Sequence, residues 1–567
     1  MNEEAVFQFS TTTAILLLLG FYGLTFIMSL FIGRKSENVD GYMVSNNAVG
    51  FGISAASMTA TWIWAASFYA SATSGFQYGL SGPIHYGFWG ALMILFIYPF
   101  GRRFRALAPK AHTLAEIVHA RHGASSQLIL AVSNLLGSGI SLMVNFTAAG
   151  ALVAVLTPLS FIHGVLIAGL GVLSYTLWSG FRASILTDFA QLVAMILAAV
   201  IIIPLIFLNL GGTGFLEENL HRLSAEQADF FSTEAILNQG APYFVAVLAY
   251  AIGNQTIAQR LFAVREDLIK PTFLTATIGY GAIVIGLGML GLLALLSGLQ
   301  PMDGDMNNII PQMASGYLPP FAIGLFFIMV IGSLSSTADS DLAALSALMM
   351  TDIYDKNIAR GRPNPKTMLM VGRLTMIVAT MVGVIFASLN LDILVMLVFV
   401  GALWGAIVFP VIASFYWDRV TNSAFTGAVV SALVLFTIVR FELVPIDGVT
   451  AVFFEVVAAV GAGVVIGLMT FAFFPRTAAI VVGVATAVVL APLCVGFLRD
   501  HIVLLSSLTS YGVSTVVCVA GSLLGKERFD FAQLAERVTS FQQDGTGRPQ
   551  RTQPASFGER DLASAKV

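Results

Sequence analysis

The chain has 567 residues, 57% of them hydrophobic and only 10% charged, with a mean hydropathy of +0.85. That balance excludes a soluble globular domain of this size and points to a polytopic membrane protein. The net charge of −3 says little; where the charges lie says more.

The first apolar run, about Thr13 to Gly33, follows acidic residues and precedes Arg34-Lys35. A secretory signal has the opposite charge order, so this run is read as a retained first span. A span needs ~20 mainly apolar residues. On that basis about fifteen segments follow, centred near residues 23, 62, 92, 140, 168, 196, 250, 285, 335, 378, 404, 431, 462, 486 and 513. With the N-terminus outside, the basic clusters Arg34-Lys35, Arg102-Arg103-Arg105-Lys110, Arg260-Arg265-Lys270 and Lys356-Arg360-Arg362-Lys366 all fall in the cytoplasm. Of the 28 Lys and Arg only Arg222, Arg440 and Arg499 then lie outside, which is the positive-inside asymmetry.

Two stretches lie off the membrane. Residues 211–240, with Glu217, Glu218, Glu226, Asp229 and Glu234, form an acidic external loop; the tail from Lys526 is cytoplasmic and ends in a segment of disordered composition. Both read as solvated surface. No GxxxxGK[ST] loop is present, which argues against ATP-driven transport by this chain. Cys494 and Cys518 sit inside apolar runs, so neither a disulfide nor a metal site is expected. No nucleophile–base pair or metal-ligand cluster falls in the spans, so the chain is not read as an enzyme.

Two spans are interrupted by small and polar residues, as where unwound backbone lends carbonyls to ions. One is SAASMTATWIWAASFYASATSGFQYG (54–79); the other is YAIGNQTIAQR (250–260), where Gly253 precedes Asn254 and Gln255 in mid-membrane. They open two stretches of five spans each, a spacing that suits an inverted repeat. A third span carries GSLSSTADSDLAALSALMMTDIY (332–354). Charge at the bilayer centre costs at least ~2.5–3.5 kcal/mol, so Asp339 and Asp341 should face a cavity and serve a function. At 3.6 residues per turn, Ser333, Thr337, Ser340 and Ala344 share one face, with Ser336 and Asp339 to one side and Asp341 to the other. The helix thus offers two oxygen-lined corners, Ser333/Thr337 and Ser336/Asp339/Ser340. A single hydroxyl in a span usually bonds back to its own helix; five hydroxyls and two carboxylates in nine residues suit an alkali cation better.

These residues resemble the sodium:solute symporter family. SSTADSDLAALSALMMTDIY is similar to its eighth core helix, SGFRASILTDFAQ (179–191) to its Gly–Ala–Thr-Asp–Gln signature, and YAIGNQTIAQR to its sixth core helix. Within the family, ATWIWAASFYASATSGFQYGLSGP and APKAHTLAEIVHARHG (108–123) look most like the urea active transporter branch. The matches cover about residues 45–420. The resemblance implies an all-α, leucine-transporter-type fold of two inverted five-helix repeats. Its divisions would be an extra N-terminal helix (1–44), a first repeat (45–210), the external loop (211–240), a second repeat (241–418), extra C-terminal helices (419–525) and the tail (526–567). It further implies a symporter in the plasma (inner) membrane, importing a small polar solute with sodium by alternating access. Urea or a urea-like compound is first choice; proline, carboxylate, sugar or polyamine carriers are the rivals. From other classes, a channel-like facilitator or a membrane sensor stands against it. Its partners are the solute, sodium and lipid; no nucleic acid partner and no cofactor are expected.

By motif position, the sodium site would use the hydroxyls of Ser336 and Thr337, the backbone carbonyl of Ser333, and the carbonyls of Ala60 and Ile63; Trp62 and Ala65 are the alternative register. Asp188 would join Asp339, Ser336 and Ser340 in a second pocket. Asp339 departs from the family, where a small residue is common. Two carboxylates this close cannot both ionise cheaply without a cation, so the pocket is expected to hold a second sodium or a carried proton. Tyr250 falls at the family's inner-gate tyrosine, and Asn254 and Gln255 at polar positions of the same broken helix. Trp62, Trp64, Phe68 and Tyr69 either wall the solute cavity or face lipid and neighbouring helices. Arg182 and Arg260 are read as interfacial anchors, and His85 as packing.

Overall fold

The protein is described from a computed structural model covering residues 7–32, 38–389, 393–538 and 540–541. Arg34-Lys35 and the tail beyond 541 lie outside the described residues. Among the described residues no strand is present, and the only bridge there pairs Val49 with Val264.

The helices that matter here are α1 (Thr11–Ile32), α2 (Phe51–Trp62), α3 (Ala65–Tyr78), α4 (Ser81–Leu95), α5 (Ala124–Leu156), α6 (Phe161–Ser179), α7 (Phe181–Asn209), α8 (Ala241–Gly253), α9 (Gln255–Ala263), α10 (Ile269–Ser297), α11 (Pro320–Leu348), α12 (Pro365–Ala387), α13 (Ile393–Tyr416), α14 (Asn422–Arg440), α15 (Gly448–Phe473), α16 (Arg476–Cys494) and α17 (Ile502–Leu524). Thirteen helical stretches are long and apolar enough to cross a membrane, among the described residues. The two remaining sequence centres, 62 and 404, fall in the α2/α3 pair and in α13.

The fold is of the leucine-transporter type. Five segments run from α2/α3 to α7 and five from α8/α9 to α13, each set opening on a helix broken in its middle. Because five is odd, the second set starts from the opposite side of the membrane, and the repeats are inverted. The Val49–Val264 bridge ties their opening helices: Val49 N–H donates to the Ala263 carbonyl (3.0 Å) and Arg265 N–H to that of Val49 (3.1 Å).

Each break has a local cause. In α2 the run SAASMTATW has no long aliphatic side chain beyond Met58, and Ile63 (ψ 78°) and Trp64 (ψ −172°) leave helical geometry. At the second break Asn254 is extended (ψ 114°), and its Oδ1 caps α9 by accepting from Thr256 N–H (2.8 Å). Gly253 is required there: an added Cβ would stand 2.3 Å from Trp404 Cγ. Gly137 of α5 meets the other edge of the same indole, where a Cβ would stand 2.2 Å from Cζ2.

The two stretches expected to be plain solvated surface are more structured than that. The five acidic residues of 211–240 are exposed, yet the loop folds onto the α3–α4 corner. Leu80 N–H donates to the Gln227 carbonyl (2.9 Å), and Ser74 Oγ to Gln239 Oε1 (2.5 Å). The described part of the tail lies on the basic face. Phe529 N–H bonds the Asp418 carbonyl (3.0 Å) beneath the Arg121 guanidinium (4.2 Å to its ring), and Arg537 reaches the Ala120 carbonyl (2.9 Å). Ser540 Oγ and Phe541 N–H both donate to Asp40, which also meets His112 Nε2 at 2.8 Å. His112 in turn contacts Glu116 (3.1 Å), whose other oxygen faces Lys356 (3.4 Å) at the end of the α11 extension.

Candidate functional site

α11 packs among α2, α5 and α7, and its two oxygen-lined corners take different sets of partners. Where α2 breaks, the Thr61, Trp62 and Ile63 carbonyls lose their helical partners and hydroxyls take them over. Thr337 Oγ1 donates to the Thr61 carbonyl (2.7 Å), Ser333 Oγ to the Ile63 carbonyl, and Ser67 Oγ to the Trp62 carbonyl (3.0 Å). The structure therefore brings together Thr337, the Ile63 carbonyl and Ser333, the last through its hydroxyl and not the expected backbone carbonyl. It does not bring in the other two expected ligands. The Ala60 carbonyl accepts from Ile63 N–H (3.2 Å) inside the helix end, and Ser336 turns away to donate to Asp188 Oδ1 (2.5 Å). The Thr61 carbonyl, for which the sequence offers no signal, stands in their place. Hydroxyl and carbonyl oxygens at a helix break are hard donors, able to accept an alkali cation when the hydroxyls rotate their protons away.

The second corner contains a cation of the protein's own. Arg260 Nη2 lies 2.9 Å from Asp188 Oδ2 and 2.6 Å from Ser340 Oγ, and its Nε lies 3.0 Å from Ser57 Oγ. Arg260 is 3% exposed and Asp188 not at all. Arg260 is thus not an interfacial anchor. The break explains why: α9 begins at mid-membrane, and five residues beyond Gln255 carry the chain only about 8 Å at 1.5 Å per residue, short of the surface. Asp339 sits across the same pocket and accepts from Tyr175 OH (2.7 Å) and Ser184 Oγ (2.5 Å). Ser340 links the two carboxylates, accepting from Arg260 and contacting Asp339 Oδ1 at 3.2 Å. One guanidinium balances one carboxylate, so the triad with both carboxylates ionised keeps one net negative charge.

A narrow cavity of about 20 Å³ adjoins the first corner, room for one or two waters. Thr61, Thr337, Trp62, Trp64, Tyr250, Asn254, Trp404 and Asp341 help to line it. A larger cavity of about 220 Å³ lies on the acidic-loop side and shares Trp62, Trp64 and Tyr250 with the first, so these three rings form the partition. Tyr250 meets Trp62 and Trp404 edge-on, with centroids at 6.1 and 5.1 Å. Of the expected solute contacts, Trp62, Trp64, Tyr250 and Asn254 reach the cavity. Gln255 does not: its amide bridges to Leu114 N–H (3.4 Å) and the His112 carbonyl (3.2 Å), fastening α9 to the basic face. Phe68 and Tyr69 are buried against protein, with Tyr69 OH 3.4 Å from the Ala148 carbonyl. His85 packs near the acidic loop, accepting from Trp89 Nε1 (3.3 Å). Trp404, absent from the sequence reading, is a principal wall; the polar-free run LWGAIVFP around it gave no signal.

Comparisons with known proteins place this geometry. The model of the sodium:solute symporter family matches residues 42–434. A sodium/pantothenate symporter of Escherichia coli (strain K12) is 24% identical over 445 residues, covering 75% of this chain and 90% of its own. A probable urea active transporter of Schizosaccharomyces pombe (strain 972) is 23% identical, covering 80% and 74%. A high-affinity proline transporter of Bacillus subtilis (strain 168) is 25% identical, covering 72% and 88%. Among solved structures, a substrate-bound, outward-open Na+-coupled sialic acid symporter superposes with a TM-score of 0.65 at 17% identity, over 85% of this chain and 97% of that one.

Proposed function

The chain belongs to the sodium:solute symporter family, whose activity is sodium-coupled transport of a small solute, and we propose that its solute is urea or a urea-like compound. It is a multi-pass protein of the plasma membrane. The observation that carries the coupling is that Thr61 and Thr337 bond to one another and both line the inner cavity. An ion held by the oxygens of that contact would fix α2 against α11 and set the wall on which the solute rests.

The solute assignment rests on the lining. Trp62, Trp64, Tyr250 and Trp404 offer flat apolar surface, Asn254 and Thr256 offer neutral polar groups, and no Lys, Arg or His lines the cavity among the described residues. A carboxylate solute would be buried there without a cationic partner, which is costly. This disfavours pantothenate and other acids.

In this reading the N-terminus faces outward and the 220 Å³ cavity is the outer vestibule. Sodium enters at Ser333, Thr337 and the α2 carbonyls, solute follows past Trp62, Trp64 and Tyr250, and the core rocks to open inward. One electrogenic sodium gains ~2.3 kcal/mol per 100 mV, enough for tens-fold accumulation. The test of the solute is uptake of labelled urea into proteoliposomes with unlabelled competitors. Urea and acetamide should suppress it at millimolar concentration while proline, pantothenate and putrescine do not; suppression by proline or pantothenate alone would reassign the solute.

A further inference from the structure

Two buried polar atoms on the wall of the inner cavity have no hydrogen-bond partner: Oδ2 of Asp341, a residue 2% exposed, and Nε1 of Trp404, likewise 2% exposed. One is an acceptor and the other a donor. Buried groups of this kind are normally satisfied, and each one left unmet is costly.

Both lie against the same short stretch of α5. The Nε1 edge of Trp404 is against Gly137, where an added Cβ would come within 2.9 Å of that nitrogen. Asp341 faces Ser141, four residues further along α5, and all four residues line the cavity. Positions i and i+4 are neighbours about 5–6 Å apart on one helix face. The orphaned acceptor and the orphaned donor thus abut neighbouring turns of α5 on one cavity wall, with Trp62, Trp64 and Tyr250 lining the same cavity.

From this geometry, and resting on the solute reading above, we infer that Asp341 and Trp404 are the specificity-determining pair: Asp341 accepts an N–H of the solute while the Trp404 indole N–H donates to its carbonyl oxygen. The class so recognised carries both groups on one carbon, namely ureas and small primary carboxamides. Urea satisfies both atoms at once. Guanidinium offers N–H groups but no acceptor and leaves the indole unmet; acetone offers an acceptor but no donor and leaves the carboxylate unmet. Acetate meets Asp341 with like charge.

The experiment is equilibrium binding of [14C]urea to the purified full-length protein in sodium buffer, by scintillation proximity. In the wild type, acetamide should displace urea at concentrations similar to urea itself, with guanidinium, acetone and acetate at least tenfold weaker. Asp341→Asn and Trp404→Phe should each weaken urea binding about tenfold or more, with the sodium concentration for half-maximal 22Na binding unchanged. Since the solute series needs no variant, a misfolded Trp404→Phe does not remove the test. If urea binds and guanidinium displaces it better than acetamide, Asp341 acts as an ion-pair partner and the pairing with Trp404 is wrong. If Asp341→Asn spares urea binding but shifts the sodium curve, the carboxylate belongs to the ion. If the wild type binds labelled proline but neither urea nor acetamide, the solute reading falls and takes this inference with it.

Discussion

Arg260 and Asp188 form a buried ion pair, Nη2 to Oδ2 at 2.9 Å, between the half-helix that follows the second break and the fifth helix of the first repeat. This bond crosses the interface between the two repeats beside α11, where Ser336 and Ser340 hold its two ends.

Removing one partner of a buried pair leaves the other charge uncompensated, at about 3–5 kcal/mol. Arg260→Ala should therefore lower the melting temperature of the detergent-solubilised protein sharply. The double variant Arg260→Ala/Asp188→Asn should recover part of the loss. A single variant as stable as wild type would mean that the pair does not hold the repeats together.

Asp339 is the charge that Arg260 does not balance. If it holds a proton or a second cation that travels with the solute, Asp339→Ser should lower the charge moved per solute by one. Reversal-potential measurements in proteoliposomes give that ratio; an unchanged ratio would make Asp339 structural, held by Tyr175 and Ser184.

Thr337 and Ser333 supply the hydroxyls at the α2 break. Hydrogen-bonding groups that meet a charge contribute about 1.5–3 kcal/mol. Thr337→Ala should thus raise the sodium concentration for half-maximal uptake about tenfold or more. Solute affinity at saturating sodium should change much less, and equal losses in both would place Thr337 on the solute instead.

The tail contact on the basic face should respond to pH. Burial opposes charge on His112, but Glu116 and Asp40 outweigh it and lift its pKa from the ordinary 6.5 to about 9. Burial also opposes charge on Asp40, yet His112, Ser540 and Phe541 hold its pKa at about 2. A raised histidine stabilises fully below its ordinary pKa and loses that contribution as pH climbs through about 9; a lowered aspartate stabilises above its ordinary value and loses it only toward about 2. The contribution of this pair to thermal stability should be constant from about pH 4.5 to 6.5 and be lost on the alkaline side, by on the order of 3 kcal/mol. Asp40→Asn should flatten that alkaline decline, and a decline of wild-type size in the variant would assign it to another group.

Much of this was legible before the fold was known. The apolar runs mark the helices because a span must be long and greasy. The small-residue run 54–79 and the Gly253-Asn254 pair mark the breaks because backbone freed from a helix needs small neighbours and a cap. The wheel of α11 separated Ser333/Thr337, which meet the freed carbonyls of α2, from Ser336/Asp339/Ser340, which meet Asp188, Ser184 and Tyr175 of α7 and α6 as well as the Thr61 hydroxyl. What stayed hidden depends on how helices cross. Arg260 looks terminal in sequence but ends a half-helix, so it is buried. Gln255 sits beside Asn254, yet successive helical residues differ by about 100° and it faces the other way. Trp404 enters the cavity only because Gly137 and Gly253, distant in sequence, leave room for its ring.

In the proposed cycle a sodium gradient drives urea or a close analogue across the membrane. Its most direct test is accumulation of labelled urea in proteoliposomes at a clamped potential, with an inward sodium gradient or equimolar potassium. With sodium, accumulation should reach several-fold above the external concentration and collapse when an ionophore dissipates the gradient. Uptake that proceeds equally in potassium and stops at equilibrium would contradict it and make the protein a facilitator.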